Sequence, residues 1–331
     1  MDDAIGAMSR LLGGYRLTQL LYVAAELGVA DALAAGPARV EDLATTVHAD
    51  PDALYRVLRT LASYGIFAEV ERRVFSSTPL GDTLRTDAPG SLRAHAVTYG
   101  QPWWWNAFGR LLDTVRTGRV AFEIAHDEPL FHFLAHEPQA AAIFNANMSA
   151  MTRQESARIA DTVVFEGVHT FVDLGGGSGM LAAALLARWP SLRGVVFDQE
   201  NAIDAARTRG LDHRCELVCG DFFTAVPPGA DLYIVKDILH DWTDDQAVAI
   251  LRNCRSAMPV HARLVVIERL MPTDNGPAAV KDIDVTMLVM TGGRERTRAE
   301  YEALLSRAGF TLARVIALPS DGDILEAVPT R

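Results

Sequence analysis

His240 stands four residues after Lys236 in the segment KDILHDW, and two glutamates further along the chain, Glu268 and Glu295, lie where segments end or turn. An imidazole beside carboxylates is a group that takes a proton: the carboxylate orients the ring and favours the tautomer or charge that abstraction needs. If the three converge, they form a base. A second cluster is VDLGGGSG, 172–179, in which a strand runs into Gly175, Gly176, Gly177 and Gly179 and then into an apolar helix, Met180 to Trp189, stopped by Pro190. Glycines permit positive φ and close approach of backbone to a ligand, and the N–H groups at the helix start face whatever sits there. The dinucleotide fingerprint G-x-G-x-x-G requires a glycine where Met180 stands, which weakens a dehydrogenase reading. The run spells D-x-G-x-G-x-G, with Asp173 before the turn. Asp198 ends the next strand 23 positions beyond Gly175, near the ~20 residues expected of a ribose-binding carboxylate. Turn and acid together point to an adenosyl-type ligand. Asp221 and Phe222 follow in GDFF, where the acid could bond an adenine amino group and the ring could cover the base.

These residues need a scaffold that brings them to one edge. From 170 onward, strand patterns at 170–174, 193–197, 215–218, 231–236 and 263–268 alternate with helical ones, which predicts an α/β fold: a parallel sheet covered on both faces, with ligands at the carboxyl ends of its strands. Every candidate polar group above lies at such an end. Thr243 to Gln246 and Thr297 to Glu300 read as capping boxes, so His240 falls on a turn just before a helix. Before about position 160 the chain reads as helical. The expected elements are a helix over 15–36, a short helix over 40–51, a helix over 52–66 with Asp50 as N-cap and Pro51 as its first residue, and a hairpin at 67–70 and 74–76. That outline is winged-helix-like and would serve as a dimerisation platform. The expected division is 1–100 and 101–331, the second part opening on a helical connector rich in aromatics and methionine. Trp103, Trp104, Trp105, Phe108, Phe122, Phe131, Phe133, Phe144, Met148 and Met151 fall there. Most read as core, and some could line a flat pocket for a ring-bearing substrate.

Composition narrows the classes. The 331 residues are 49% hydrophobic and carry a formal charge of −11, with no basic stripe for a nucleic-acid backbone. No apolar stretch approaches the ~18 residues of a membrane span, and Asp2 and Asp3 open the chain where a signal peptide would be basic. The expectation is a soluble, cytoplasmic enzyme. Cys215, Cys219 and Cys254 read as reduced, buried thiols without a zinc spacing. His132 and His136 lack the glutamate of H-E-x-x-H, and no metal is expected.

DLGGGSG, GDFF, K-x-x-x-H-D-W at 236–242, VIERLMP and GGRERT together resemble the S-adenosylmethionine-dependent small-molecule O-methyltransferases of the caffeic-acid and hydroxyindole type, bacterial antibiotic-tailoring members included. The resemblance implies a Rossmann-like methyltransferase sheet behind an α-helical dimerisation domain. It implies that S-adenosylmethionine is bound by Gly175, Gly177, Asp198, Asp221, Phe222 and Lys236 and leaves as S-adenosylhomocysteine. It makes His240 the general base flanked by Glu268 and Glu295, and Asn145, after Phe144 and before Met148, a contact of an aromatic substrate. Homodimers in which each N-terminal segment closes the partner's pocket are the family's habit. Arg153 is a further candidate, for the cofactor's carboxylate. Asp237 departs from the tryptophan usual in plant members. Two other readings stay open: the same cofactor site doing N-methylation, hydroxylation or decarboxylation, and a winged-helix regulator, which the acidic balance opposes.

Overall fold

The computed structural model describes residues 2–318 and 322–330, and the chain falls into two compact units that divide between Trp105 and Asn106, five residues beyond the expected boundary.

In the first unit the expected 15–36 helix is broken. Helix Gly14–Glu26 ends before Gly28, whose φ of +68° no helix accommodates, and Val29–Ala32 forms a separate turn. The helix Pro51–Ser63 begins as its sequence predicts: the Asp50 side chain accepts from the Ala53 N–H at 2.8 Å, with Pro51 next. It buries Leu54, Leu58 and Leu61, one face at helical spacing. The hairpin is present as β2 (Phe67–Glu71) and β3 (Val74–Ser77), and β3 is also paired with the unanticipated two-residue β1 (Ala38–Arg39). Arg73, at the hairpin turn, is spent within the unit on Glu41 at 2.7 Å and Asp52 at 3.1 Å and lies over the Tyr55 ring. The N-terminal helix Asp2–Leu12 leaves Ile5, Met8, Leu11 and Leu12 each more than half exposed, an apolar face the unit does not cover.

The second unit opens on the helices Leu111–Thr117, Ala121–His126, Leu130–His136 and Pro138–Thr162. Of the aromatic and methionine residues expected as core, Trp103, Trp104 and Phe122 are buried, whereas Trp105, Phe108, Phe131, Phe133, Phe144, Met148 and Met151 keep part of their surface. A seven-stranded sheet follows: β4 (Thr170–Leu174), β5 (Arg193–Asp198), β6 (Cys215–Cys219), β7 (Leu232–Lys236), β8 (Arg263–Glu268), β9 (Phe310–Ala317) and β10 (Asp323–Pro329), in the spatial order β6-β5-β4-β7-β8-β10-β9. The five strands expected from the pattern are parallel; β9 and β10 were not anticipated, and β10 alone runs against the rest, pairing antiparallel with both β8 and β9.

Alternation along the central strands serves both faces. Val172, Leu174, Tyr233, Val235, Leu264 and Val266 pack on one side, and Phe171, Val196, Ile234, Val265 and Ile267 on the other. Each such side chain contributes roughly 1.5–3 kcal/mol on burial, so these strands form the rigid part on which the loops are mounted. The chain leaves β4 in one direction through β5 and β6 and returns to lay β7 on its other side. That reversal opens a crevice at the carboxyl ends of β4 and β7. The thiols are not uniformly buried, as had been expected: Cys254 is, Cys215 is half-buried, and Cys219, on the edge strand β6, is exposed. The glycine-turn helix stops at Arg188: Trp189, placed before Pro190, is extended as a pre-proline residue tends to be, and its indole N–H donates to Ala160 O at 2.9 Å.

Candidate active site

β4 delivers the chain into the glycine turn with Gly175, Gly177 and Gly179 all left-handed, at φ +68°, +57° and +72°. Gly175 needs its lack of a side chain twice over, since a Cβ there would stand 2.3 Å from Ile238 Cδ1 on the loop after β7. The turn is tied to β5 by Asp198, whose carboxylate accepts the Gly177 N–H at 2.8 Å and the Gln199 N–H at 2.7 Å. Burial nevertheless raises the Asp198 pKa, and those two hydrogen bonds offset part of the rise. Asp173 lies beneath the turn; burial and the nearby Asp198 push its pKa to about 7, and its Oδ2 has no hydrogen-bond partner. Phe222 is half-buried, with a ring edge 4.0 Å from the position of a Gly175 Cβ. The exposed Asp221 closes its own turn by accepting the Phe223 N–H at 2.8 Å.

Lys236 ends β7 inside a buried ionic network. Its Nζ meets Glu155 at 3.0 Å and, more closely, Asp237, while Arg269 spans the same two carboxylates at 3.1 and 3.0 Å. Burial works against the ammonium, but Asp237 and Glu155 outweigh it and raise the Lys236 pKa. Asp237 takes φ +50°, and the two cations hold its carboxyl well below the usual carboxylate range against the cost of burial. Arg153 is exposed and near enough to Arg209 to depress its pKa further after burial has done so. The Arg209 Nε in turn donates to Ser178 O in the glycine turn at 3.0 Å.

The residues expected to form a base do converge. His240 sits in the single helical turn Leu239–Asp241, ahead of the helix Asp244–Ala257 whose capping box is formed by Thr243 and Gln246. Its Nδ1 is 2.8 Å from Glu295 Oε1 and 3.5 Å from Glu268 Oε2, and both glutamate side chains are fully buried. Glu268, at the end of β8, uses Oε1 to accept the N–H groups of Leu239 at 2.8 Å and Ile238 at 3.2 Å, which fixes the start of the loop. The carboxylate nearest Nε2 is Asp241 Oδ1 at 4.0 Å, beyond hydrogen-bond reach. Burial disfavours the imidazolium, but Glu268, Asp241 and Glu295 together outweigh it and raise the His240 pKa to about 10. Burial raises Asp241 to about 6 and also moves Glu268 upward. One donor atom each from Asp237, His240 and Glu268 lies within 4.8 Å of the others. Lys236 and Arg269 already occupy the Asp237 carboxylate, so that trio offers a cation little.

Phe144, Asn145 and Met148 are half-buried on the helix Pro138–Thr162. Phe144 meets Phe131 edge to face at 6.3 Å, and Phe131 stacks on Trp242 at 5.6 Å, two residues past the histidine. Trp242 also touches Phe222 and Phe223, linking the aromatic wall of the connector to the ring beside the glycine turn. Sequence reasoning did not single out Trp242, Ile238, Glu155, Arg269 or Arg296. Each acts through a partner distant in sequence; the KDILHDW, VIERLMP and GGRERT runs contain all of them but Glu155 without showing what they touch.

A glycine turn tied to an acid at the end of the next strand, with a carboxylate-held histidine on the loop after β7, is a layout suited to a group-transfer enzyme of the adenosyl-cofactor class. Comparison with known proteins agrees: residues 108–311 match the O-methyltransferase domain family and residues 9–87 the O-methyltransferase dimerisation domain. The chain belongs to the O-methyltransferase family. It is 40% identical to phenazine O-methyltransferase PhzM of Lysobacter antibioticus over 97% of this chain and 95% of that one. It is 34% identical to phenazine-1-carboxylate N-methyltransferase of Pseudomonas aeruginosa over 94% and 93%. The O-methyltransferase NcsB1 from neocarzinostatin biosynthesis, solved with S-adenosyl-L-homocysteine and 1,4-dihydroxy-2-naphthoic acid, superposes with a TM-score of 0.82 at 32% identity, over 95% of this chain and 96% of that one.

Proposed function

We propose that this protein transfers a methyl group from S-adenosylmethionine to a phenolic hydroxyl of an aromatic or polycyclic secondary metabolite, with His240 as general base and without a metal. The observation that carries the reading is the buried His240 ring, held through Nδ1 by Glu295 and Glu268, with Nε2 beyond hydrogen-bond distance of every carboxylate among the described residues. The crevice suits the cofactor: an orphaned buried oxygen on Asp173, a glycine turn with open space over Gly177, and a carboxylate at the end of β5. Gly175, Gly177, Asp198, Asp221 and Phe222 would hold its nucleoside part, with Lys236 and Arg153 at the same edge. When bound, the sulfonium supplies an activated methyl group. The protein's own tasks are to place the acceptor oxygen in line with that methyl and to receive its proton. Placement within ~3–3.5 Å removes much of the barrier. A phenol with pKa of about 10 is largely neutral at pH 7, and the unprotonated fraction of His240, which grows as pH rises toward the raised value, accepts its proton as attack proceeds. Glu268 and Glu295 stabilise the imidazolium that results. Phe144, Asn145 and Met148 would face a flat acceptor. The uncovered N-terminal helix supports a homodimer formed through the winged-helix-like unit, and three unpaired cysteines suit a reducing cytoplasm.

N-methylation is the second reading, favoured by the name of the Pseudomonas relative. A ring nitrogen with a free lone pair needs no base, however, and this site has one. The test is His240→Ala with a panel of hydroxylated polycyclic acceptors and labelled cofactor. Affinity for S-adenosylhomocysteine should stay near wild type, while kcat falls by ~10²–10⁴-fold, least for phenols already ionised. Chelator should leave the wild-type rate unchanged. Equal losses for acidic and ordinary phenols, or none for either, would remove the base.

A further inference from the structure

Arg296 is completely buried, and its guanidinium is directed almost wholly at the loop that carries His240. Nη1 donates to Leu239 O at 2.8 Å and to Arg294 O at 3.3 Å, Nη2 to Trp242 O at 2.7 Å, and Nε to Asp244 Oδ1 at 2.9 Å. Leu239 and Trp242 bracket the histidine. Between them the carbonyl of His240 itself accepts the Arg294 N–H at 2.8 Å. The approach is so close that a Cβ on Gly293 would lie 2.0 Å from His240 O. A one-turn loop has few hydrogen bonds of its own, and its carbonyls would be left unpaired in the interior without this strap. The same short segment delivers Glu295 to Nδ1. Tyr301, also buried, lies beneath the guanidinium with its ring 6.0 Å from Cζ and limits its swing.

We propose that Arg296 is a positioning residue for methyl transfer: its planar fork locks the His240 loop to the Glu295 segment and so sets where the imidazole stands. It touches neither cofactor nor acceptor in this role, which rests on the reading of His240 as base. A lysine cannot reproduce it, because a single ammonium does not present two parallel donors in a fixed plane. Arginine serves here for geometry more than for charge, since the partly exposed Asp244 already balances it.

The experiment is a double-mutant cycle of Arg296→Lys and Asp244→Asn, each alone and each combined with His240→Ala. Folding is checked by thermal melting and S-adenosylhomocysteine titration. Arg296→Lys is expected to lower kcat by ~10–100-fold, the scale of an ångström misplacement, with acceptor KM and S-adenosylhomocysteine affinity within about threefold. Its kcat–pH profile should be displaced, and neither change should appear in the His240→Ala background. Asp244→Asn loosens the fork without emptying the buried site and should show a smaller loss of the same kind; if Arg296→Lys does not fold, this variant decides. A kcat loss of equal size with and without His240, or a folded variant with wild-type kcat and pH profile, overturns the proposal. If His240→Ala alone retains wild-type kcat, the base reading fails first and leaves the fork nothing to position. If His240→Ala is slow but the cycle is additive, only the role of Arg296 falls.

Discussion

Replacing Glu295 by glutamine keeps the shape of the contact with His240 Nδ1 and removes its charge. The bond at 2.8 Å then changes from charge-assisted to neutral, a loss of about 1–1.5 kcal/mol. At 1.36 kcal/mol per unit this is about one unit of pKa. The lost Coulomb attraction, about 4 kcal/mol between charge centres roughly 4 Å apart at an effective dielectric constant of 20, corresponds to about three units. In the wild type the carboxylates hold His240 near 10, so the resting ring is protonated at neutral pH and kcat/KM should rise with pH through an apparent value above the ordinary 6.5. In Glu295→Gln that value should fall by about one to three units, and the plateau rate should drop by roughly tenfold as the ring loses its orientation. Initial rates of labelled methyl transfer from pH 5.5 to 10 measure both. A folded variant that titrates as the wild type does would show that Glu295 neither orients nor stabilises the base. Stability carries the same sign. A raised histidine pKa contributes stability fully present below 6.5 and lost as pH climbs toward about 10. The difference in urea midpoint between wild type and His240→Gln should therefore shrink over that range.

Asp198→Ala should weaken S-adenosylhomocysteine binding by ~1.5–3 kcal/mol, the scale of hydrogen bonds to a charged group; unchanged calorimetric affinity in a folded variant would remove Asp198 from the site. Gly175→Ala places a Cβ 2.3 Å from Ile238 at φ +68°, at a cost of at least ~1–2 kcal/mol. It should lower the melting temperature and abolish S-adenosylhomocysteine binding, and normal binding would show that the turn yields freely. Light scattering at micromolar concentration should report about twice the 36.0 kDa chain mass. A monomer that turns over acceptor would refute a shared site.

Much of this protein was legible in its sequence because the signals are local. Asp50-Pro51, the two capping boxes and the alternation of the five parallel strands are short-range patterns with one low-energy outcome each. The glycine turn is likewise local, since Gly175, Gly177 and Gly179 supply the positive φ that it needs. Sequence also placed His240, Glu268 and Glu295 at strand ends and turns, but their meeting depends on β7 and β8 being neighbours and on the GGRERT segment crossing the His240 loop. Those are long-range facts. The same holds for the antiparallel pairing of β10 with β8, which lies far back in the chain, and for Lys236, a plain cation in the sequence but neutralised by Glu155 and Asp237 in the fold. The chain by itself specified which groups could do chemistry. Only tertiary packing decided their charge: burial by itself disfavours a charged imidazole, and the carboxylates that the fold brings to it, Glu295 at 2.8 Å among them, outweigh that cost.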